Sequence, residues 1–294
     1  MTDTIVIYHG GCRDGFCAAW VVDKYLNQKQ FAEQTKEGLT YHPGYYGQEP
    51  PDVKGKNIIV VDFSYDLETM KHISKDAKGF LWLDHHKTAL GIHEYFEKES
   101  YQYGTTLDWR FDNGRSGAGL AWDYFFPNEP RPWLVDYVED RDLWVKKLDD
   151  TDEINAYIAC LEFDFKVWDD TAELDVEDVA EYGKTAIMKT EQYVREACKN
   201  AYYVDLYSRA AEKLVFHLPV VNICQVDCSE VLHELAKTNQ GISMYWFKRA
   251  DGMYQYGLRS IGDIDVSEIA KLFGGGGHKN AAGFQLNYLL GELK

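Results

Sequence analysis

The sequence has no long hydrophobic run. Its apolar stretches are only a few residues long, whereas a helix that crosses a bilayer needs about 20 consecutive apolar residues. The first residues also lack a basic region followed by an apolar segment, the pattern of a secretory signal. We therefore expect a soluble, cytoplasmic protein that does not interact with membranes.

Cysteines are few, and their spacing shows no pairs. The 294-residue chain has six of them: Cys12, Cys17, Cys160, Cys198, Cys224 and Cys228. A disulfide framework is typical of short secreted chains with regular cysteine spacing. The scattered cysteines of this longer chain therefore indicate a reducing compartment.

The sequence is also poor in basic residues. Lys and Arg total 31 against 48 Asp and Glu, which gives a formal net charge of −17. Proteins that hold long nucleic acids usually carry a basic track that neutralises phosphates, and acidic stretches such as residues 149–153 are most simply solvated surfaces. We expect no binding of long duplex nucleic acid, while small phosphorylated substrates held through metal ions are compatible with this charge.

The pattern along the chain predicts an α/β fold in three parts. Up to residue 149, short apolar runs alternate with helical stretches, which is typical of a parallel sheet covered on both faces. Residues 150–212 are acidic with helical spacing and predict a helical connector. Residues 213–294 predict a smaller α/β domain, with a strand at 220–224, a helix at 229–236 and a hairpin that turns at Asp251-Gly252.

Polar side chains follow three of the apolar runs in the first part. The sets are Asp84, His85 and His86 after residues 79–83, His9 after residues 5–8, and Asp62 after residues 58–61. In open α/β sheets, ligands bind at the carboxyl ends of the strands. The sequence therefore predicts a metal site at this edge of the sheet.

Asp62 is the natural bridging ligand for two divalent ions, because it directly follows a buried strand. The remaining ligands would be His9, Asp14, His85 and one acid of residues 139–142, for which Asp140 and Asp142 both fit. Oxygen and nitrogen ligands of this kind favour Mn²⁺ or Mg²⁺, with Co²⁺ and Zn²⁺ as alternatives. A single His or Asp is more often a cap or a surface group, so the prediction depends on the recurrence of such residues at successive strand ends.

His86 has a different predicted role from His85. Adjacent strand residues point to opposite sides, so both histidines can face one cation only where the strand ends. We expect His86 to contact a phosphate, with a hydrogen-bonding role beside the metal site as the alternative. Asp84 is predicted to orient its neighbours.

Two glycine-containing segments could bind anions. Gly274, Gly275, Gly276 and Gly277 precede His278, and their N–H groups could meet a phosphate, although a glycine run is also compatible with a flexible loop. Arg259 and Ser260 end a nearby predicted strand, where the guanidinium could bind the same phosphate. At the helix start after Ser116, free amides could face an anion, but an ordinary N-cap is the simpler interpretation.

Together these motifs resemble those of the DHH phosphoesterase superfamily. The matching residues are His9-x4-Asp14-Gly15, Asp62, Asp84-His85-His86, Asp140-x-Asp142 and, near the end of the sequence, Gly274 to His278 followed by Ala281-Ala282-Gly283-Phe284. The resemblance is closest to members in which a DHH catalytic domain precedes a DHH-associated substrate domain: nano-RNases, phosphodiesterases of cyclic and linear dinucleotides, and RecJ-like exonucleases. It implies a DHH domain in residues 1–149 and the substrate domain in residues 213–294, whereas the connector matches no known motif.

The resemblance also implies roles for individual residues. His9, Asp14, Asp62, His85 and Asp140 would bind two manganese ions, with Cys12 and Asp142 as further candidates. Asp62, Asp84 and His86 would be catalytic, with His86 on the scissile phosphate. Arg259, Ser260, Gly275, Gly276, Gly277 and His278 would hold the other phosphate or terminus of the nucleotide. Hydrolysis by a hydroxide activated between the two ions would release a nucleoside monophosphate.

Cys12 is a departure from the family pattern. The family commonly places two aspartates one residue apart before the glycine, and here Cys12 stands at the first of these positions. A thiolate would suit a softer metal, and a thiol would leave one ion weakly held. We therefore expect weaker or altered metal selectivity.

The leading functional hypothesis is a metal-dependent phosphodiesterase of short oligonucleotides or dinucleotides. The alternatives are a phosphatase of 3'-phosphoadenosine 5'-phosphate, a RecJ-like single-strand exonuclease and a non-catalytic nucleotide sensor. RecJ-type enzymes usually carry further nucleic-acid-binding domains, for which 294 residues leave no room. The sequence leaves open the preference for RNA or DNA and the oligomeric state, including a homodimer.

Overall fold

The computed structural model describes residues 3–28, 38–99, 106–208, 213–224, 228–238 and 240–290. Contacts along the chain divide it into two compact units, Met1–Ile187 and Met188–Lys294. Within the described ranges, no helix has the length and hydrophobicity needed to cross a membrane.

The first unit contains a five-stranded parallel sheet. Its strands are β1 (Thr4–His9), β2 (Leu39–Gly44), β3 (Asn57–Val61), β4 (Gly79–Asp84) and β5 (Thr106–Phe111), in the order β2-β1-β3-β4-β5. Its helices are α1 (Arg13–Gln28), α2 (Leu67–Asp76), α3 (Leu90–Glu99), α4 (Gly117–Phe125), α5 (Trp133–Asp142), α6 (Thr151–Ile158), α7 (Phe165–Ala172) and the first half of α8 (Val176–Cys198). The predicted α/β class and parallel sheet are confirmed.

Both faces of this sheet are buried, as the continuous apolar runs of its strands predict. In β1, Val6 packs into the core formed with α1, α4 and α5, whereas Ile5 and Ile7 pack into a second core with α2 and α3. Since successive strand residues point to opposite faces, one short run supplies both cores. The polar residues that directly follow these buried strands therefore lie at the strand ends.

The acidic segment after residue 149 packs on the first unit. Ile154 of α6, Trp168 of α7 and Val179 of α8 belong to the same core as α1. A Cβ atom at Gly183 of α8 would lie 1.9 Å from the carbonyl oxygen of Glu153, so this glycine permits the close approach of two helices. The helices predicted here therefore pack against the first unit.

The end of the predicted connector is not helical. Residues Tyr202–Ser208 form strand β6, which pairs antiparallel with β7 (Lys213–Asn222) and belongs to the second sheet. The prediction of a wholly helical segment over 150–212 is therefore wrong for these residues. The predicted boundary after residue 212 falls beside residues 209–212, which lie outside the described residues.

The second unit is a mixed sheet with helices on both faces. Its other elements are α9 (Cys228–Thr238), β8 (Ile242–Lys248), β9 (Tyr254–Ser260), α10 (Val266–Lys271), β10 (Gly276–Gly277) and β11 (Ala281–Leu286), with strand order β10-β11-β9-β8-β7-β6. Only β7 and β8 pair in parallel among these described strands. The predicted hairpin is confirmed, since β8 and β9 are antiparallel and Gly252 adopts a φ of 86° in the turn.

Candidate metal centre

The predicted polar residues meet where the strand order reverses. β1 lies between β2 and β3, and ligands of open α/β sheets bind in the crevice beside such a switch point. His9 ends β1, Asp62 follows β3 and Asp84 ends β4. Asp62 has a left-handed backbone with a φ of 55°, a conformation that Asp tolerates better than most residues and that clusters at functional sites.

Three acidic side chains surround His85. Its Nε2 atom lies 2.8 Å from Oδ1 of Asp62, 3.4 Å from Oδ2 of Asp14 and 3.8 Å from Oδ2 of Asp142. On the other side of the bridging carboxylate, Nδ1 of His9 lies 3.5 Å from Oδ2 of Asp62. One carboxylate thus connects the two histidines.

Within the described residues of the first unit, the geometry brings together two groups of potential metal ligands. One group is His9, Asp62 and His86, and the other is Asp14, Asp62 and His85; within each group the ligand atoms lie within 4.8 Å of one another. Asp62 belongs to both groups, as the sequence-based prediction of a bridging acid requires. The structure places His86 in the first of them, in addition to the phosphate role expected from the sequence.

Asp14 is held by the start of helix α4. Its Oδ2 accepts a hydrogen bond from the N–H of Gly117 (2.6 Å), and its Oδ1 accepts one from Ala118 (2.8 Å). Ser116 is an ordinary N-cap, since its hydroxyl accepts from the N–H of Gly119 at 3.0 Å. The free amides of this helix therefore do face an anion, and that anion is the chain's own Asp14.

Gly117 allows this helix to reach the site. A Cβ atom at position 117 would lie 2.3 Å from Cβ of Asp62, a distance that real side chains do not show. Sequence reasoning considered this segment only as a cap or an anion site. The sequence feature that could have indicated this close approach is Gly117, the small residue directly after the N-cap.

Asp84 orients its two neighbours. Its Oδ1 accepts hydrogen bonds from the backbone N–H groups of His85 (2.7 Å) and His86 (3.1 Å) and lies 2.8 Å from Nδ1 of His86. The His86 ring is thereby fixed through one nitrogen. This arrangement matches the orienting role expected of Asp84.

The structure separates the two candidate acids on α5. Oδ1 of Asp140 accepts from the N–H of Lys147 (3.0 Å) and Oδ2 accepts from that of Leu148 (3.2 Å), so its carboxylate holds the loop after the helix. Asp142 instead turns toward His85. Asp140, the ligand implied by the family resemblance, is therefore not brought into the cluster, whereas Asp142 is.

Burial and mutual charge shift the pKa values of the acids in the cluster in different directions. Burial, with the charges of Asp62 and Asp142, raises the pKa of Asp14 well above its usual range, and burial likewise raises the pKa of Asp142. For Asp62, burial is outweighed by the hydrogen bond from His85 and by the nearby imidazole of His9, which together hold its pKa well below the usual range. Asp62 is thus the carboxylate that most readily stays charged.

Acidic neighbours raise the pKa of two of the site histidines, His85 and His9. Burial works to lower the pKa of His85, but its hydrogen bond to Asp62 and the charge of Asp142 leave it well above the ordinary value. The pKa of His9 is raised in the same way, against burial, by Asp62 and by a hydrogen bond to Cys12. Cys12 therefore lies beside His9, although it is in neither ligand group.

The cluster fits divalent cations on its own chemistry. Among the described residues, Oδ2 of Asp62 and Oδ2 of Asp142 are buried and receive no hydrogen bond. Buried carboxylate oxygens without donors are costly unless a cation compensates them. The imidazole and carboxylate donors suit Mn²⁺ and Mg²⁺, and also Co²⁺ or Zn²⁺.

In the second unit, the predicted phosphate-binding residues lie at one end of the sheet. Arg259 pairs with Ala281 across β9 and β11, and the N–H of His278 donates to the carbonyl of Ala281 at 2.7 Å. Arg259 and His278 therefore both lie next to Ala281 in the second unit. The Ser260 hydroxyl, in contrast, donates to the carbonyl of Ile264 at 2.7 Å and is buried.

The glycine run is structured and does not form a loop of free amides. Gly275 donates its N–H to the carbonyl of Ala270 at the end of α10, while Gly276 and Gly277 form β10 and pair with β11. Gly277 has a φ of 137°, and a Cβ atom there would lie 2.6 Å from the carbonyl oxygen of Ala281. The amide of Gly275 is therefore already occupied.

Comparison with known proteins agrees with this geometry. Residues 215–293 match the sequence profile of the DHHA1 domain. The uncharacterized protein R106 of Acanthamoeba polyphaga mimivirus is 31% identical over 317 aligned positions, which cover 98% of this chain and 69% of that protein. Oligoribonuclease NrnB of Bacillus subtilis (strain 168) is 28% identical over 244 positions, covering 72% of this chain and 54% of NrnB. The chain thus corresponds to about half the length of NrnB.

Among solved structures, an exopolyphosphatase-related protein from Bacteroides fragilis has a TM-score of 0.52 at 11% identity, covering 99% of this chain and 88% of that one. This likeness concerns the fold alone. A parallel sheet with a His and Asp cluster at its switch point, followed by a DHHA1 domain, defines a two-unit phosphoesterase architecture. The chain belongs to the DHH phosphoesterase superfamily.

Proposed function

We propose that this protein is a divalent-metal-dependent phosphodiesterase that hydrolyses short oligonucleotides or dinucleotides to nucleoside monophosphates. The observation that carries the proposal is that Asp62 is shared by two groups of metal ligands, since paired ions are typical of phosphoester-cleaving sites. The similarity to an oligoribonuclease supports the substrate class. The net charge of −17 favours short substrates over long ones.

In this proposal, the two ligand groups hold two Mn²⁺ ions, and Asp142 completes the group of Asp14, Asp62 and His85. Ions bound there would polarise the phosphate and lower the pKa of a nearby water molecule. Asp62 and His85 are nine-tenths or more buried, so the residues that hold the ions also keep bulk water from them. Six cysteines without a disulfide fit action in the cytoplasm.

His86 is assigned to the scissile phosphate. Its Nδ1 is hydrogen-bonded to Asp84, which fixes the orientation of the ring. His86 also lies close to His9 and Asp62, so a phosphate beside these residues would be within its reach. Asp84 acts through His86 and is a positioning residue.

The second unit would hold the remainder of the nucleotide. Arg259 and His278 lie at the same end of the sheet, and a guanidinium is well suited to a phosphate or a terminal nucleotide group. Gly276 and Gly277 bring the backbone of β10 to the same region. Ser260 supports this arrangement through its hydrogen bonds to Ile264 and Asn280.

The test is hydrolysis of a labelled RNA ladder from dimer to 24-mer, of cyclic dinucleotides and of 3'-phosphoadenosine 5'-phosphate, each with Mn²⁺. Asp62→Asn removes the charge of the shared ligand while keeping the side-chain shape, and His85→Gln replaces the imidazole ligand by a neutral amide. Asp251→Asn, in the exposed hairpin turn of the second unit, is the matched control. Products are resolved by chromatography.

We expect rapid release of mononucleotides from two- to five-mers by the wild type and the control, with loss of activity in both ligand variants. Release of inorganic phosphate from 3'-phosphoadenosine 5'-phosphate alone would replace the proposal with a phosphatase. Efficient cleavage of strands of tens of nucleotides would indicate an exonuclease. Dinucleotide binding without turnover would indicate a sensor.

A further inference from the structure

Tyr46 is an aromatic residue at the metal centre that the proposed mechanism does not use. It follows β2, the strand that pairs with β1, and the register places Gly44 opposite His9. The next two residues, Tyr45 and Tyr46, therefore emerge beside the end of β1. The two residues are 37% and 38% exposed, although they adjoin a buried cluster.

The segment that carries Tyr46 is anchored to β1. The N–H of Gly10 donates to the carbonyl of Gly44 at 2.9 Å, and the N–H of Gln48 donates to the carbonyl of Tyr45 at 3.1 Å, which closes a turn. The Tyr45 ring lies against Gly10, where a Cβ atom would be 2.5 Å from the ring. The position of Tyr46 is thus set by its neighbours.

The Tyr46 ring contacts two residues of one ligand group. Its centroid lies 5.5 Å from that of His9 and 6.3 Å from that of His86, with interplanar angles of 71° and 78°. It also packs on Phe63 at 5.1 Å. These contacts place the Tyr46 ring beside both histidines of this ligand group.

Two carboxylates of the site, those of Asp84 and Asp62, interact electrostatically with Tyr46, and a charged carboxylate only accepts hydrogen bonds. No hydrogen bond of the Tyr46 hydroxyl is found within the part of the chain that the structure describes. A phenol is protonated at neutral pH and can donate. A phosphate held at this site would present acceptor oxygens to it.

We propose that the Tyr46 hydroxyl binds substrate by donating a hydrogen bond to a non-bridging oxygen of the scissile phosphate. This inference rests on the proposed phosphodiesterase function. It places a neutral hydrogen-bond donor near the carboxylates of Asp62 and Asp84, at a site where donors aimed at a phosphate are most effective. The ring has a separate role, which is to pack against the imidazoles of His9 and His86 and keep them in position.

Three variants separate these tasks. Tyr46→Phe removes the hydroxyl and keeps the ring, Tyr46→Leu removes both, and Tyr45→Phe makes the same chemical change one residue away. For each, kcat and KM on a dinucleotide, Mn²⁺ affinity by calorimetry and the thermal midpoint are measured. A hydrogen bond to a charged group contributes about 1.5–3 kcal/mol, so Tyr46→Phe should lower kcat/KM by about ten- to hundredfold.

The proposal requires that loss with Mn²⁺ affinity and thermal midpoint unchanged in Tyr46→Phe, and normal activity in Tyr45→Phe. Weaker Mn²⁺ binding is expected only for Tyr46→Leu. Activity of Tyr46→Phe within twofold of wild type overturns the assignment, as does an equal loss in Tyr45→Phe.

Failure of the proposed function would be seen separately, as a wild type that hydrolyses none of the substrates. The Tyr46 assignment is then decided by binding of AMP, a phosphate monoester, to the Mn²⁺-loaded protein. Weaker AMP binding by Tyr46→Phe than by wild type and Tyr45→Phe would support it. Equal binding, or none by any of the proteins, would overturn it.

Discussion

The Nε2 atom of His85 lies 2.8 Å from Oδ1 of Asp62, and this contact joins the ends of two neighbouring strands. The second oxygen of Asp62 lies 3.5 Å from Nδ1 of His9, at the end of a third strand. The two oxygens of one carboxylate are therefore divided between two imidazoles. This division explains why both ligand groups depend on Asp62.

Asp142 and Asp140 should respond in opposite ways to conversion to Asn. Asp142→Asn should lower Mn²⁺ affinity at least tenfold and leave the metal-free protein equally or more stable, because burial disfavours its charge. Asp140→Asn should reduce the free energy of unfolding by about 1 kcal/mol, since one of two partly buried backbone donors in the following loop loses its acceptor. Calorimetry and denaturant unfolding measure the two effects, and the reverse pattern would assign the ligand to Asp140.

Gly117→Ala should disrupt the metal centre. The new methyl group would overlap Asp62, so either α4 or the bridging carboxylate must move, and Mn²⁺ affinity should fall at least tenfold. Gly91→Ala is the matched control, because a Cβ atom at Gly91 in α3 would meet nothing within 4 Å. Mn²⁺ titrations of the two variants test this, and equal affinities would refute the steric argument.

Stabilisation by Mn²⁺ should increase between about pH 5.5 and 8. The pKa values of Asp14 and Asp142 are raised in the folded protein, so the metal-free protein loses stability as pH rises through those values. The pKa values of His9 and His85 are also raised, and they cause a further loss of stability as pH rises above about 6.5. Asp62 acts oppositely, since its lowered pKa contributes stability above its ordinary range. Metal ions compete with the protons on these ligands.

The measurement is the shift in thermal midpoint at fixed Mn²⁺ across that pH range. A shift that is independent of pH would show that the ions do not displace protons from these residues. Mg²⁺, which uses the same oxygen ligands but binds imidazole less readily, should give smaller shifts.

Cys12→Asp should change metal selectivity. A carboxylate beside His9 would add a hard ligand at the position where the family usually has one, so the preference for Mn²⁺ over Zn²⁺ should rise by about tenfold or more. Cys160→Asp introduces the same charge at an exposed position and should have no effect. Competition binding with both metals measures the ratio, and an unchanged ratio would show that Cys12 does not influence the choice of metal.

Much of the first unit could be predicted from the sequence because buried parallel strands have an unambiguous pattern. Their apolar runs end in polar residues, and the strand-end rule places those residues together. Strand β6 was missed because it is an edge strand whose Tyr202, Tyr203 and Tyr207 are exposed. It follows a long helix and lacks the apolar run that identifies the central strands.

The choice between Asp140 and Asp142 depends on backbone geometry that no local pattern encodes. The loop after α5 contains left-handed backbone at Trp144 and Lys146, with φ values of 55° and 50°, and Asp140 is occupied in holding it. Tyr46 was equally inaccessible, because its place beside His9 depends on which strand is the neighbour of β1. Strand order is a property of the whole sheet.

The ligands of the metal centre come from separate chain segments between residues 9 and 142, so they converge only when the sheet has formed. A metal ion that needs all of these side chains binds the folded chain and not the unfolded one. By mass action, each tenfold rise in its free concentration above Kd adds about 1.4 kcal/mol to the stability of the folded state. The supply of metal in the cell would then set the lifetime of the protein as well as its activity, with metal starvation exposing the chain to proteolysis.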